Sequence, residues 1–335
     1  MSEQPILEVE GLRVAFRGRG GEVTALRDVS FAMERGRTLA LVGESGSGKS
    51  VTSLALMGLL PEAGRIASGR MTYRDRSGAV RDLIALSERE YRTLRGAEIA
   101  MIFQEPMSSL NPLFTIGDQI GEMLWLHEPI DAGARRRRVL DMLDMVEIPA
   151  AASRIGSYPH ELSGGMRQRV MIAMAMICNP ALLIADEPTT ALDVTIQAQI
   201  LDLMRRLQSE FGMSILFVTH DMGVVAEMAD EVAVMYAGAV VEQASVTALF
   251  DTPRHPYTQG LLASIPTPGG GSGERLVPIP GAVPPLHALP AGCAFAPRCA
   301  HARPRCEAPV DLWQKAPGHR AACILEDPPE LPVPA

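Results

Sequence analysis

The sequence lacks any long uncharged apolar run. Although 47% of its 335 residues are hydrophobic, no charge-free stretch approaches the length of a membrane-spanning helix. The apolar segment at residues 170–178, for example, is followed by the helix-breaking pair Asn179-Pro180. Residues 1–5 also lack the basic and apolar regions of a signal peptide. We therefore expect a chain that is neither exported nor embedded in a membrane.

The sequence also lacks the excess of positive charge that general nucleic-acid binding requires. It has 31 Lys and Arg residues against 39 Asp and Glu residues, and its formal net charge is −8. Four consecutive arginines do occur at residues 135–138. Apolar residues follow them at helical spacing, however, which indicates the solvated start of an amphipathic helix. We expect no nucleic-acid partner.

What the sequence does contain is a complete phosphate-binding loop, G-x-x-x-x-G-K-S, at residues 43–50. The apolar run Thr38–Val42 before it predicts a buried strand, and residues 51–60 after it predict a helix. In such a loop, backbone N–H groups and the helix N-terminus surround the phosphates. Lys49 is expected to neutralise the β- and γ-phosphates, and Ser50 to bind Mg²⁺. The predicted nucleotide-binding residues of the loop are Gly43, Glu44, Ser45, Gly46, Ser47, Gly48, Lys49, Ser50 and Val51.

A second anion-binding helix start is predicted at residues 162–166, Leu-Ser-Gly-Gly-Met, because a short polar turn opens an apolar helical stretch there. Further along, residues 181–185 predict another buried strand, which ends in Asp186 and Glu187. Two adjacent carboxylates at the end of a buried strand would be costly without a cation. The pair therefore indicates a metal-assisted site.

The order of these motifs resembles the nucleotide-binding subunit of an ATP-binding cassette (ABC) transporter, over residues 7–243. The resemblance implies an α/β fold with a RecA-like core, a β-rich subdomain and a helical subdomain that carries the signature motif. It also implies ATP hydrolysis, with ATP and Mg²⁺ as cofactors. The alternation of a predicted helix at residues 196–211 with a strand at residues 215–219 agrees with a mostly parallel sheet.

The resemblance also gives roles to individual residues. Glu187 would polarise the attacking water, with His220 near the γ-phosphate and Gln104 sensing Mg²⁺ and water. Phe16 lies where the family places an aromatic that stacks on adenine, although an apolar ring in an alternating segment is also typical of a core residue. The predicted catalytic residues are Glu187, His220, Gln104 and Lys49, and the predicted magnesium ligands are Ser50, Gln104 and Asp186.

In this family the signature motif serves the ATP of an opposing subunit. Ser163 and Gly165, with Gly164 between them, would cap the γ-phosphate held by that subunit, and Asp193 lies in the loop that crosses the dimer interface. We expect the second cassette to be a homologous but different chain. The other expected partners are two integral membrane permeases and an external peptide-binding protein that acts through them. This assembly would hold the chain, as a peripheral subunit, at the cytoplasmic face of the inner membrane.

The chain is predicted to have three parts. The ABC cassette contains a helical subdomain at about residues 107–165, with helices at residues 116–126 and 135–148. A linker rich in Pro and Gly follows, and then a small Cys-rich extension. The predicted bounds of the three parts are 1–265, 266–290 and 291–335.

Two segments narrow the choice of transported solute. Residues 105–112, Glu-Pro-Met-Ser-Ser-Leu-Asn-Pro, and residues 255–258, His-Pro-Tyr-Thr, are similar to segments of oligopeptide and dipeptide importers. The second segment is also compatible with a helix entry that has Pro in its first turn. We favour a peptide importer, with a nickel importer as the close alternative. A soluble ABC ATPase outside transport is the alternative of another class, although the sequence has neither a long coiled-coil insertion nor a second cassette.

Four of the five cysteines fall in the tail, at Cys293, Cys299, Cys306 and Cys323. A segment this short and rich in proline needs a cross-link or a metal to become ordered. Disulfides are disfavoured in a reducing cytosol, and zinc sites usually have closer thiolate pairs. The tail resembles that of some peptide-importer subunits, which implies one four-iron–four-sulfur cluster, with zinc as the alternative. The basic residues expected to offset the charge of the cluster are Arg298, Arg303 and Arg305.

Overall fold

The computed structural model describes residues 4–18, 20–104, 109–190, 192–265 and 278–326, and its elements are labelled here in chain order. One sheet is antiparallel, with four strands in the order β2-β1-β4-β5. Apolar side chains of this sheet share a core cluster with the larger sheet of the protein. The strands of the smaller sheet are β1 (Leu7–Gly18), β2 (Gly21–Met33), β4 (Gly64–Arg74) and β5 (Val80–Asp82).

The larger sheet has eight strands in the order β11-β12-β10-β9-β3-β8-β7-β6. The strands from β9 to β6 are parallel, whereas β10, β12 and β11 are added antiparallel beyond β9. Strands β3, β7 and β8 are buried along their whole length, as expected for a parallel sheet that is covered on both faces. The strands are β3 (Thr38–Val42), β6 (Ile99–Ile102), β7 (Leu182–Asp186), β8 (Ser214–Thr219), β9 (Glu231–Tyr236), β10 (Ala239–Ser245), β11 (Trp313–Ala316) and β12 (His319–Ala321).

Among the described residues, a group of four helices lies between β6 and β7 in the chain and forms its own apolar core with the neighbouring strands. These helices are α3 (Ile116–His127), α4 (Ala132–Met145), α5 (Ala151–Arg154) and α6 (Gly164–Met176). The other helices connect the strands of the sheets or follow β10. They are α1 (Lys49–Leu56), α2 (Glu88–Leu94), α7 (Val194–Phe211), α8 (Met222–Met228), α9 (Val246–Asp251) and α10 (Pro256–Ala263). Within the described ranges, no helix has the length and apolar character needed to cross a membrane.

The predicted elements agree with the structure apart from their ends. Strand Thr38–Val42 is found as predicted, and the helices predicted at residues 116–126 and 135–148 correspond to α3 and α4. The helix predicted at residues 51–60 begins earlier, inside the phosphate loop, and ends at Leu56. It ends there because Gly58, just beyond it, has a φ of 61°, which turns the chain out of the helix.

The C-terminal tail, here residues 278–326, packs onto the rest of the chain. Strand β12 pairs with β10, with Ala321 opposite Glu242. Phe295 is 2% exposed and contacts the rings of Tyr236 and Tyr257. The tail therefore shares the sheet and the core of the cassette, and the structure does not confirm a separate Cys-rich domain.

Candidate functional site

The phosphate loop leaves β3 at Gly43 and enters α1 at Lys49. Gly43 and Gly48 have φ angles of 149° and 105°, which side chains other than that of glycine rarely allow. A Cβ atom on Gly43 would also lie 2.2 Å from the carbonyl oxygen of Met235 in β9. Glycine therefore allows the loop to pass directly against the neighbouring strand.

Lys49 points back into the phosphate loop. Its Nζ donates hydrogen bonds to the carbonyl oxygens of Gly43, at 2.7 Å, and Glu44, at 3.2 Å. Burial lowers the pKa of Lys49, while the carboxylates of Glu187, Asp186 and Glu44 oppose this shift. The ammonium group is thus held where it can exchange carbonyl oxygens for the oxygens of a phosphate.

Ser50 and Asp186 bring a hydroxyl and a carboxylate together. Asp186 ends β7 and is 4% exposed, and Ser50 Oγ donates a hydrogen bond to its Oδ1 at 3.2 Å. Burial raises the pKa of Asp186, although the hydrogen bond from Ser50 opposes the shift. Mg²⁺ in nucleotide sites usually binds one or two carboxylates together with substrate phosphates. This oxygen pair, whose Ser50 directly follows Lys49 in the chain, fits such a phosphate-bound Mg²⁺.

Glu187 is held by three side chains just beyond the end of β7. Gln104 Nε2 and Thr190 Oγ1 each lie 2.9 Å from its Oε2, and His220 Nδ1 lies 3.2 Å from its Oε1. Burial alone would raise the pKa of Glu187, but hydrogen bonds from His220 and Thr190 and the charges of His220 and Lys49 together hold it below the ordinary value. The φ of Glu187 is 47°, an uncommon backbone conformation for a side chain of this kind.

The structure therefore brings together Gln104, Glu187 and His220, which lie far apart in the sequence. Gln104 donates its amide N–H to Glu187, and its predicted role as a magnesium ligand stays a prediction. Thr190 was not predicted from the sequence. Its signal is weak, because a hydroxyl three residues after a carboxylate is common in turns, and here Thr190 N–H also donates to Glu187 O at 3.2 Å.

The signature motif opens α6 within the helical group. Ser163 caps this helix, with its Oγ accepting the N–H of Met166 at 3.4 Å. A Cβ atom on Gly165 would lie 3.0 Å from the Ile196 side chain, so α6 begins close to the beginning of α7. Asp193 caps α7 by accepting the N–H of Ile196 at 2.9 Å. The predicted contacts of this region with the ATP of a second subunit stay predictions.

Phe16 lies in β1 and is half-buried. Its ring covers Gly64 of β4, where a Cβ atom would come within 2.8 Å of the ring, and it packs against the core cluster that both sheets share. These contacts are those of a core-packing residue near the end of an inner strand, because β1 pairs with both β2 and β4. The stacking of Phe16 on adenine stays a prediction.

The tail cysteines do not form the predicted metal site. Cys293, Cys299, Cys306 and Cys323 line one small apolar cavity together with Phe295. Across the described residues, however, no group of three or more His, Cys, Asp or Glu side chains is arranged to hold a metal ion. Burial raises the pKa of Cys293, Cys299 and Cys323. The prediction of a four-iron–four-sulfur cluster is therefore wrong, and zinc fails for the same reason.

The arginines of the tail do not have their predicted role, which was to offset the charge of a metal cluster. Arg298 pairs with Glu44 of the phosphate loop, with Nη1 2.6 Å from Oε2 and Nη2 3.0 Å from Oε1. These hydrogen bonds raise the pKa of Arg298, although burial opposes the shift. Arg303 and Arg305 are exposed. The role of Glu44 as a nucleotide ligand stays a prediction, because its carboxylate is engaged with Arg298.

Together these contacts define a class of protein. A glycine-rich loop joins a central parallel strand to a helix, a lysine lies inside the loop, and a nearby strand ends in two carboxylates. This is the site of a P-loop nucleoside triphosphatase. The chain also has the helical group, in which α6 begins at a second short polar turn, at Ser163. This group distinguishes the chain from members of the class that have only the phosphate loop and its carboxylates.

Comparison with known proteins names the family. Residues 26–190 match the family model for ABC transporters, and residues 241–306 match that for the oligopeptide/dipeptide transporter C-terminal region. A putative peptide import ATP-binding protein of Brucella ovis is 58% identical over 331 residues, which cover 97% of this chain and 98% of that protein. The oligopeptide transport ATP-binding protein OppD of Bacillus subtilis is 54% identical over 93% of this chain and 85% of OppD. The chain therefore belongs to the ABC transporter family.

A solved structure supports the same assignment. The dimeric ATP-binding cassette MJ0796, in a post-hydrolysis state with ADP and phosphate, is similar with a TM-score of 0.63 at 26% identity, covering 72% of this chain and 98% of that chain. The ABC ATPase fold predicted from the sequence is thus confirmed. The names of the related transport proteins mention no metal cluster, in agreement with the correction above.

Proposed function

We propose that this chain is the ATP-hydrolysing subunit of a membrane importer for oligopeptides or dipeptides. The main observation in favour of ATPase activity is the set of contacts around Glu187, whose carboxylate is hydrogen-bonded to both Gln104 and His220. The peptide substrate is supported by relatives named for peptide import and by the match of residues 241–306 to the peptide transporter C-terminal region.

The side chains divide the reaction between binding and activation. Lys49 and backbone N–H groups of the phosphate loop bind the β- and γ-phosphates. Glu187 accepts a hydrogen bond from the attacking water and orients it, while His220 contacts the γ-phosphate. Ser50 and Asp186 would hold Mg²⁺, which supplies positive charge to the phosphate oxygens. Phosphoryl transfer requires positioned groups and positive charge more than covalent chemistry by the protein. These side chains supply both.

The signature motif is proposed to act across a dimer. Ser163, Gly164 and Gly165 lie at the start of a 13-residue helix, whose N–H groups and dipole favour an anion. In the proposed dimer they cap the γ-phosphate bound by a second cassette, and Asp193 lies at the interface. The dimeric state of the similar solved cassette supports this arrangement.

A groove between the helical group and the larger sheet is the proposed docking site for a permease. Its volume is about 770 Å³, and it adjoins Phe103, the residue before Gln104. Phe103 is 41% exposed and Leu126, from α3, is 57% exposed, so apolar surface from both sides is open to a partner. A movement of the docked segment would reach Glu187 through Gln104. Other lining residues of the groove include Met57, Leu59, Met123, His127, Met171 and Met174.

Cross-linking tests the docking site. A cysteine at Leu126 should cross-link to a permease in the assembled transporter. A cysteine at the exposed Val80, in the antiparallel sheet, is the matched control and should not. Cross-links from Val80 alone would reject this surface.

The complete assembly is proposed to contain two permeases, an external peptide-binding protein and a second cassette that is homologous but different. Because the permeases cross the membrane, the chain would be a peripheral subunit at the cytoplasmic face of the inner membrane. Within the chain, the proposed cassette covers residues 1–265, with its helical subdomain at about 107–165. Residues 266–290, of which 266–277 lie outside the described residues, would connect the cassette to residues 291–335.

Uptake in the source cell tests the proposed function. Deletion of the gene should abolish uptake of labelled dipeptides and oligopeptides, and the parental gene should restore it. Glu187→Gln should not restore uptake, whereas the surface change Glu210→Gln should. Loss of nickel uptake with normal peptide uptake would assign the chain to the alternative importer. Purified transporter without ATPase activity would reject the proposal as a whole.

A further inference from the structure

Glu44, the second residue of the phosphate loop, is held by residues from the far end of the chain. Arg298 binds both oxygens of its carboxylate, at 2.6 and 3.0 Å. Tyr257 Oη accepts the backbone N–H of Glu44 at 2.8 Å. These partners follow Glu44 by 254 and 213 residues, so the fold itself brings them to the loop.

Arg298 is fixed in its position. Its side chain is 3% exposed, and besides Glu44 it donates hydrogen bonds from Nε to Pro280 O at 2.9 Å and from Nη2 to Ile279 O at 3.3 Å. Its guanidinium carbon lies 5.8 Å from the ring centroids of both Tyr236 and Phe295. A bidentate, charge-assisted pair with a fixed arginine restrains the carboxylate in direction as well as in distance.

Tyr257 is fixed as well. It lies in the first turn of α10, where His255 caps the helix by accepting the N–H of Tyr257 at 3.1 Å. Its ring is fully buried and packs against Tyr236, with centroids 4.7 Å apart, and against Phe295 at 5.4 Å. The hydroxyl that meets Glu44 therefore extends from a rigid aromatic cluster.

The loop needs such external support. Three glycines with positive φ lie between β3 and α1, so neither a strand nor a helix fixes the backbone there. Glycine-rich segments lose the most conformational freedom when they become ordered. The carbonyl oxygens of Gly43 and Glu44 also contact Lys49 Nζ, so the position of Glu44 determines the environment of the lysine.

We propose that Arg298 and Tyr257 are positioning residues of the ATP site. By holding Glu44 they preorganise the phosphate loop, which reduces the ordering that ATP binding would otherwise require. Both residues act through Glu44, which each of them contacts directly. The inference rests on the proposed ATPase function. It adds a role for the C-terminal tail, whose Arg298 holds the phosphate loop in position for the catalytic residues.

Kinetics with matched variants test this role. Arg298→Met should raise both the KM and the Kd for ATP about tenfold, as expected for the loss of a charge-assisted pair, while kcat at saturating ATP stays within about twofold. Arg298→Lys keeps the charge but loses the bidentate geometry. Its KM and Kd for ATP should lie between those of the parental protein and those of Arg298→Met. Arg305→Met, at an exposed arginine of the same tail, is the control and should match the parental protein. KM and kcat are measured on the assembled transporter, and Kd by nucleotide titration of the purified chain.

A double-mutant cycle connects the effect to Glu44. Glu44→Gln combined with Arg298→Met should weaken ATP binding no more than the larger of the two single changes, because both disrupt the same pair. An additive double variant would overturn the inference, as would a folded Arg298→Met variant with the parental Kd. If Arg298→Met does not fold, Tyr257→Phe removes only the hydroxyl and should weaken ATP binding about threefold. A Tyr257→Phe variant with unchanged Kd would then overturn it.

These measurements separate the inference from the proposed function. If the parental protein and Arg305→Met bind no ATP, the proposed ATPase function fails. If both bind ATP and the Arg298 and Tyr257 variants bind it equally well, only the role of the tail fails.

Discussion

Glu187 and Glu44 are carboxylates of the same site with different surroundings. Glu187 belongs to the proposed catalytic group (Gln104, Glu187, Thr190 and His220), in which the His220 side chain is 61% exposed. Glu44 belongs to the supporting group (Glu44, Tyr257 and Arg298), in which the Arg298 side chain is 3% exposed. Exposed partners can leave Glu187 when water and a phosphate arrive, since such contacts contribute little to stability. A buried arginine cannot leave Glu44 without a large penalty, because it would remain unpaired.

The supporting group continues into a deeper layer of buried polar residues. Glu242 in β10 is fully buried, and its carboxylate accepts the backbone N–H groups of Arg254 at 2.6 Å and His255 at 2.9 Å. Its Oε1 also lies 2.7 Å from His319 Nε2 in β12. The tail is thus connected by paired polar groups to the helix entry that carries Tyr257. This ATP site therefore combines replaceable contacts for chemistry with fixed contacts for support.

The largest effects are expected in the catalytic group and the adjoining lysine. Lys49→Ala should abolish tight ATP binding, because it removes a cation that meets the phosphates. Glu187→Gln should keep ATP binding but lower kcat by at least about a hundredfold, since the amide cannot activate water. The stalled protein should accumulate as an ATP-bound dimer, measurable by size-exclusion chromatography with ATP. Glu210→Gln is the surface control, and parental turnover in Glu187→Gln would contradict the assignment.

The proximity of Gln104, Glu187 and His220 could be predicted because each of them follows a recognisable strand. Residues 39–42 are all apolar, and the loop after them has the spacing of a phosphate site. The pair between Glu44 and Arg298 could not be predicted, because it joins residues 254 positions apart and neither side of it forms a local pattern. The sequence likewise suggested a helix entry at Tyr257 but not the partner of its hydroxyl.

The tail shows why cysteine spacing alone was misleading. Four cysteines in a short segment are expected of a metal site when the segment has no other source of order. Here Phe295 enters the core beside Tyr236, and β12 extends the central sheet, so packing supplies the order. Whether a thiol binds a metal or packs as a small apolar group depends on these distant contacts.

Between the two groups lies the backbone of the loop, and changes there should have the next largest effect. Gly43→Ala would place a Cβ atom 2.2 Å from Met235 O at a φ of 149°, and should destabilise the protein by about 3 kcal/mol or more. Gly46→Ala, at a φ of 79° with no neighbour within 4 Å, is the matched control and should lose about 1–2 kcal/mol. Urea unfolding measures both. Equal losses would show that the close approach to β9 contributes nothing.

The buried polar layer next to the supporting group should make the stability of the protein depend on pH. Burial lowers the pKa of His255 to about 4, while the charge of Glu242 opposes the shift. The folded protein therefore disfavours protonation of His255, and the unfolded chain binds the proton first as pH falls below about 6.5. Stability should be complete above that pH and should decline towards pH 4, by on the order of 2 kcal/mol at pH 5.

Thermal unfolding across this pH range measures the effect of His255. His255→Asn keeps an acceptor for the N–H groups at the start of α10 but does not titrate, so its pH dependence should be flatter than that of the parental protein. Glu242 and His319 face the same region and are present in both proteins, so they cancel in the comparison. Identical slopes would show that His255 is not the titrating group.

The smallest effect is expected at Thr190, which tests whether the catalytic group depends on each of its contacts. Thr190→Ala removes one donor to Glu187 Oε2, but Gln104 still donates to the same oxygen and His220 to the other. The loss should therefore be about that of one hydrogen bond, which lowers kcat about three- to tenfold with little change in the Kd for ATP. Thr190→Ser keeps the hydroxyl and should stay within about twofold of the parental rate. If Thr190→Ala hydrolysed ATP as fast as Thr190→Ser, Glu187 would be held by Gln104 and His220 alone.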